Sequence, residues 1–95
     1  MQNETEELAS GYMNEGIQTF HNNQLEQAAV LVQKSVHLFK ETDNKKMYAK
    51  SLNMMGVIYG AIGNEGAAID YYLEGLECAI NHHCDSILPL FYNNI

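Results

Sequence analysis

The sequence has no arginine, no tryptophan, one proline (Pro89) and two cysteines among its 95 residues. Missing arginine removes the planar fork that reads phosphates and guanine edges. The basic residues are five lysines against twelve acids, and the formal net charge is −7. A clustered basic face is the footprint of nucleic-acid binding, so that class is disfavoured. An anionic membrane surface is disfavoured on the same ground. The single proline leaves long stretches able to form helix. Cys78 and Cys84 are too few to staple a small secreted fold, and a reducing, cytoplasmic setting fits best. There is no apolar run of about 18 residues to span a bilayer. The polar, acidic start lacks the basic and apolar regions of a secretory signal.

What is present is enough apolar material for a packed core: 46% of the residues are hydrophobic. The chain also repeats. At a shift of forty, Ala9 meets Ala49, Gly16 meets Gly56, Ile17 meets Val57, Ala28 meets Ala68, Val36 meets Leu76 and Asn53 meets Asn93. A fixed period of this size marks an array built from one supersecondary unit. Residues 1–95 read as one all-α domain, with units at about 5–42 and 45–82 and a truncated third at 85–95. The first helix carries Leu8, Tyr12, Ile17 and Phe20 at roughly helical spacing and breaks at His21-Asn22-Asn23. The second starts near Gln24, has a wide apolar face from Leu25 to Phe39, and ends at Thr42-Asp43-Asn44. The third is expected from about Lys45 to Ile62, stopped by Gly63-Asn64. The fourth is expected over Glu65 to about Asn81, with Ala68, Ile69, Tyr72, Leu73, Leu76 and Ile80 inward. A fifth, Ile87 to Ile95, would be capped by Asp85 or Ser86, with Pro89 in its first turn.

Leu52, Met55, Gly56, Tyr59, Gly63, Ala68, Tyr72, Gly75 and Ile80 together resemble the tetratricopeptide repeat (TPR). The first unit keeps Tyr12, Gly16 and Ala28, with Glu15, Thr19 and Val32 where the family has larger residues, as terminal repeats often do. Neither unit has the usual closing proline, and the forty-residue period exceeds the common one of about 34. The resemblance implies helix-turn-helix repeats stacked as a short right-handed α-solenoid of about five helices. It implies structural roles for Gly16, Ala28, Gly56, Tyr59, Ala68 and Tyr72, with Gly56 and Ala68 as the close-contact pair. The third unit stops one residue short of the place of Gly16 and Gly56. About three units are expected for stability, so the chain reads as a fragment of a larger, bacterial protein. On that reading Ile87, Phe91 and Ile95 lack cover. Homodimer formation through this open C-terminal end, or helix exchange between chains, would supply it.

The first helix of each family pair lines a concave groove. Carried onto this chain, the groove is Ser10, Met13, Asn14, Ile17, Phe20 and His21, then Lys50, Asn53, Met54, Val57 and Ala61, then Leu90, Asn93 and Asn94. Asparagine both donates and accepts, so the recurrence of Asn53 and Asn93 suits a peptide backbone. Asn53 matches one position of the clamp by which chaperone-binding members hold a C-terminal carboxylate. Met13 and Ile17 stand where that clamp needs lysine and asparagine, which argues against it. The mixed apolar lining suits an amphipathic helix or peptide instead. Helix-spaced methionines and aromatics also read as ordinary core.

Cys78, His82, His83 and Cys84 form the one metal-like cluster, with Cys78 and His82 a helical turn apart. They lack the separated ligand pairs of a closed zinc site, so no metal or cofactor is expected, with Cys78 in the core and the histidines in a polar turn. No phosphate loop, nucleophile elbow or His-Glu-x-x-His motif occurs, and this chain is not expected to be an enzyme. The expected function is a scaffold module binding a protein or peptide. The alternative is the sensory or regulatory N-terminal domain of a bacterial signalling protein, such as a diguanylate cyclase. The Tyr92-Asn93-Asn94-Ile95 ending also resembles repeat units of bacterial peptide-sensing regulators.

Overall fold

The computed structural model describes residues 2–95, and among them there is no strand. Five helices follow in chain order: α1 (Gln2–His21), α2 (Leu25–Lys40), α3 (Lys45–Ile62), α4 (Glu65–Asn81) and, after a 3₁₀ turn at Asp85–Ile87, α5 (Leu88–Asn94). Each packs chiefly on its neighbours in the chain, α1 on α2, α2 on α3, α3 on α4 and α4 on α5. None of the described helices is long and apolar enough to cross a membrane.

The boundaries follow from short polar residues. Asn23 takes a left-handed conformation (φ 64°), which asparagine tolerates better than most residues, and turns the chain from α1 into α2. The Thr42 hydroxyl donates to the Phe39 carbonyl at 2.8 Å and accepts from the Asn44 amide at 3.1 Å. Asn44 then caps α3, its Oδ1 accepting from the Met47 amide at 3.1 Å. Its Nδ2 donates to Glu6 Oε1 at 2.7 Å, tying the start of α3 to α1. Gly63 (φ 100°) ends α3, and Asn64 caps α4 through the Ala67 amide. Bounds for α3 and α4 agree with the sequence reading. The fifth helix differs. Neither Asp85 nor Ser86 caps it; a 3₁₀ turn comes first, and Pro89 sits in the first turn of α5.

Two apolar clusters hold the helices. One joins α1, α2 and α3 through Met13, Ala28, Val32, Val36, Leu52, Met55 and Ile58. The other joins α3, α4 and the C-terminal elements through Ala49, Ala79, Ile87 and Phe91. Burial departs from expectation at three places. Met13, placed in the groove by register counting, is a core residue, 7% exposed. Ile87 and Phe91, expected to lack cover, are buried at 4% and 0%, while Ile95 is exposed. Ile69, Leu73 and Ile80, expected inward, are exposed because no described helix lies over that side of α4.

Glycines set the closest seams. A Cβ on Gly16 would meet Val32 Cγ2 at 2.5 Å, and one on Gly56 would meet the Tyr72 ring at 2.4 Å. Val32 and Tyr72 are themselves forty residues apart. The partner of Gly56 is therefore Tyr72 and not Ala68, which is buried nearby beside Gly60. At Gly75 a Cβ would meet Phe91 Cε1 at 2.5 Å and the Ala49 carbonyl oxygen at 3.1 Å.

Two stability measurements check this packing. Gly75→Ala should destabilise by about 1–3 kcal/mol through overpacking, despite alanine's better helix propensity. Gly11→Ala, where an added Cβ would meet none of the described residues within 4 Å beyond its own stretch of helix, should stabilise by about 0.5–1 kcal/mol. Denaturant melts that raise both midpoints would refute the Gly75 seam. The Ser35 hydroxyl is fully buried and has no hydrogen-bond partner among the described residues. Removing it in Ser35→Ala should therefore raise stability by roughly 1 kcal/mol, and a loss instead would show that the hydroxyl is satisfied.

Candidate functional site

The proposed groove residues from α1, α3 and α5 divide in the structure. Ile17, Phe20 and Met54 are half-buried and pack on the edge of the first cluster. Lys50, Asn53 and Val57 are half-buried on α3, and Asn93 and Asn94 are exposed on α5. Asn94 Nδ2 donates to Asn53 Oδ1 at 3.0 Å, so the amide pair across α3 and α5 uses Asn94. Asn93, the repeat-matched residue, is not the one that reaches Asn53. The His21 ring meets Phe20 edge-on, with centroids 5.9 Å apart.

A concavity of about 500 Å³ lies on the other side of α3, between α2, α3 and α4. Ligand pockets run from about 300 to 1,000 Å³. Met55, Tyr59 and Ile62 line it from α3, at successive turns and roughly opposite Asn53 and Val57 on the helix. Tyr59 and Tyr71 stack at 5.6 Å with their planes 13° apart. The Tyr71 hydroxyl donates to Gln33 Oε1 at 3.3 Å, and Gln33 Nε2 lies 3.2 Å from His37 Nε2. The sequence reading did not single out Gln33, His37 or Tyr71. The available signal was Gln33 interrupting the apolar Ala29 and Val36 on one face of α2.

No protein-family model, curated protein or solved structure matches the chain.

The cysteine and histidine cluster does not converge. Among the described residues no three His, Cys, Asp or Glu side chains come together to hold a metal ion. Cys78 Sγ donates to the Lys45 carbonyl at 3.7 Å, and Cys84 Sγ to the His82 carbonyl at 3.7 Å. Burial pushes the Cys78 thiol up, with Cys84 and Glu74 adding to the shift and Lys45 opposing it. His82 and His83 are exposed in the turn, His83 with φ 56°.

Tyr48 links α3 to α4. Its hydroxyl donates to Glu74 Oε2 at 3.0 Å. Burial, then that hydrogen bond, pushes its pKa up to about 12 from 10.0. The neutral phenol is favoured in the fold, and the unfolded chain gives up its proton first. Stability should therefore fall as pH rises from 10.0 to about 12. Burial also raises Tyr71 and Tyr72, so they add to the same fall. Urea melts across this range should show a shallower decline for Tyr48→Phe; an unchanged slope would remove the Tyr48 contribution.

Proposed function

We propose that the chain is a tetratricopeptide-type interaction module, its helix pairs stacked as a right-handed α-solenoid, that binds a protein or peptide along the α1, α3 and α5 side. The repeat reading is supported by two seams at the same register, Gly16 with Val32 and Gly56 with Tyr72. It is also supported by the order in which consecutive helices pack.

The observation that carries the binding reading is the Asn53–Asn94 pair. Each amide has two N–H donors and a carbonyl acceptor, and the pair uses one donor and one acceptor. The Asn53 amino group and the Asn94 carbonyl remain to serve a peptide main chain. Ile17 and Phe20 on α1 and Met54 and Val57 on α3 supply half-buried apolar surface. Lys50 adds one positive charge, suited to a polar or acidic residue of the ligand. Pairing two amides between helices holds them in one geometry, which lowers the ordering cost of binding.

The test is selection from a displayed random-peptide library on the purified chain, followed by amide-shift mapping of the tightest peptide. Shifts are expected at Ile17, Asn53, Val57 and Asn94. Asn53→Ala should weaken that peptide roughly two- to tenfold, the value of one or two hydrogen bonds. A selected peptide whose shifts fall on Gln33, His37 and Tyr71 would move the site to the opposite concavity. Failure to select any peptide would remove the reading.

A further inference from the structure

Apolar side chains on α4 face solvent along most of its length. Ile69, Leu73 and Ile80 are 47%, 50% and 50% exposed, and Leu76 between them is half-buried. Their spacing of four, three and four residues puts all four on one stripe, about 16 Å long. A concavity of about 400 Å³ runs beside Leu73, Leu76 and Ile80, and one of about 360 Å³ lies beside Ile69.

Charge borders this stripe on both sides. Residues 51–95 contain five acids, Glu65, Asp70, Glu74, Glu77 and Asp85, and no lysine; every lysine lies between residues 34 and 50. Glu77 lines one concavity and Glu65 the other. By helical geometry Asp70 and Glu77 share one edge of the stripe, two turns apart, and Glu65 stands on the other edge.

The chain shows what covers this register elsewhere. Ala29, Gln33 and Val36 of α2 precede Ile69, Leu73 and Leu76 by forty residues. Ala29 and Val36 are buried in the cluster with Leu52 and Met55 of α3, and Gln33 takes the Tyr71 hydroxyl of α4. Helices α3 and α4 flank those positions, of which Ala29 and Gln33 also line the concavity of about 500 Å³, and Lys40, the counterpart of Ile80, is exposed; in α4 the corresponding positions are more apolar.

We propose that the α4 stripe docks one amphipathic helix of another protein, with apolar residues at i, i+3 or i+4, and i+7 flanked by lysine or arginine. The apolar anchors would fill the stripe and its concavities, and the flanking cations would meet Asp70, Glu77 and Glu65. A second copy is the poorer occupant. A two-fold contact sets the acidic edges against themselves with no lysine to answer them. The exposed Leu8 on α1 shares its helix face with Glu4 and Glu15, and the one lysine beside it, Lys34, already lies over the Tyr12 ring at 5.3 Å. An anionic bilayer meets the same acidic border.

The probes are two synthetic helices of about 18 residues with the same leucine stripe, one flanked by lysines and one by glutamates. Each is titrated into the full chain by fluorescence anisotropy. The lysine-flanked helix should bind at least roughly tenfold tighter than its twin. Leu73→Glu should weaken it by a similar factor. That variant adds negative charge, so a purely electrostatic complex would tighten instead and overturn the proposal. Ile80→Glu serves as a second variant, with circular dichroism checking that each remains helical. Leu8→Glu, on α1, should leave binding unchanged. Equal binding of the two helices, or none, overturns the proposal. So does a solution mass that rises with concentration in the native chain and stays monomeric in Leu73→Glu, since a second copy then covers the stripe.

Discussion

A Cβ on Gly56 would lie 2.4 Å from the Tyr72 ring, and one on Gly16 would lie 2.5 Å from Val32. At these two seams the helices of each pair approach closely enough that only hydrogen fits between them. The alanines along the same helices follow the same logic: Ala9, Ala28, Ala49 and Ala79 are fully buried and Ala68 nearly so. Small side chains at a seam let neighbouring backbones come close and let larger residues on either side interlock. Few large side chains are fully buried, among them Phe39, Phe91, Leu52, Met55 and Ile58. A core built from close approach more than from bulky residues is sensitive to single added carbons. The third seam keeps the principle and changes the pieces. Ser35 and Ser51 are both fully buried in the first part of the chain. Forty residues on, Gly75 and Phe91 stand at those positions and touch. One residue has lost its side chain and the other has gained a ring, and the seam stays filled.

Closely seated helices fix where each face points, and this gives the molecule distinct surfaces. On α3, Asn53 and Val57 look one way while Met55, Tyr59 and Ile62 line the concavity on the other. Tyr48 and Glu74 clasp α3 to α4, with the phenol held neutral by burial and by its carboxylate partner. Cys78 is similarly absorbed: its thiol, pushed up by burial, donates to the Lys45 carbonyl at the start of α3. Tyr48, Glu74 and Cys78 thus hold α3 and α4 together.

Much of the fold was legible because its signals are local. Thr42-Asp43-Asn44 and Gly63-Asn64 act through caps and a left-handed glycine that depend on nearby backbone alone, so the bounds of α3 and α4 could be read directly. Facing was harder. The periodicity of Ile69, Leu73, Leu76 and Ile80 announces a stripe whether or not another helix covers it, and here it is bare. Met13 precedes Gly16 by three residues and so shares its face, which turns toward α2 rather than into a groove. Asn93 matched Asn53 by counting, but Phe91 stands at the register of the much smaller Ser51, so α5 does not seat as α3 does. The amide that arrives is Asn94. The concavity at Gln33 and Tyr71 joins residues from two helices 38 positions apart, and single-helix periodicity does not connect them.

The charge pattern separates the two proposed binding surfaces. The lysines lie on α2 (Lys34, Lys40) and the first part of α3 (Lys45, Lys46, Lys50), whereas residues 51–95 carry five acids, two histidines and no lysine. The amide face therefore includes Lys50 and suits a polar or acidic segment, while the α4 stripe is bordered by Asp70, Glu77 and Glu65 and suits a basic one. They meet at Asn94, which pairs with Asn53 on the amide face and also lines the concavity beside Ile69, so a ligand filling that concavity reaches the amide pair. A second route between them is also short. Tyr48 and Glu74 join the two helices, and Asp70 and Glu77 are one helical turn either side of Glu74. A cation arriving beside Glu74 competes for the carboxylate that Tyr48 uses, and loosening that clasp acts on α3 directly.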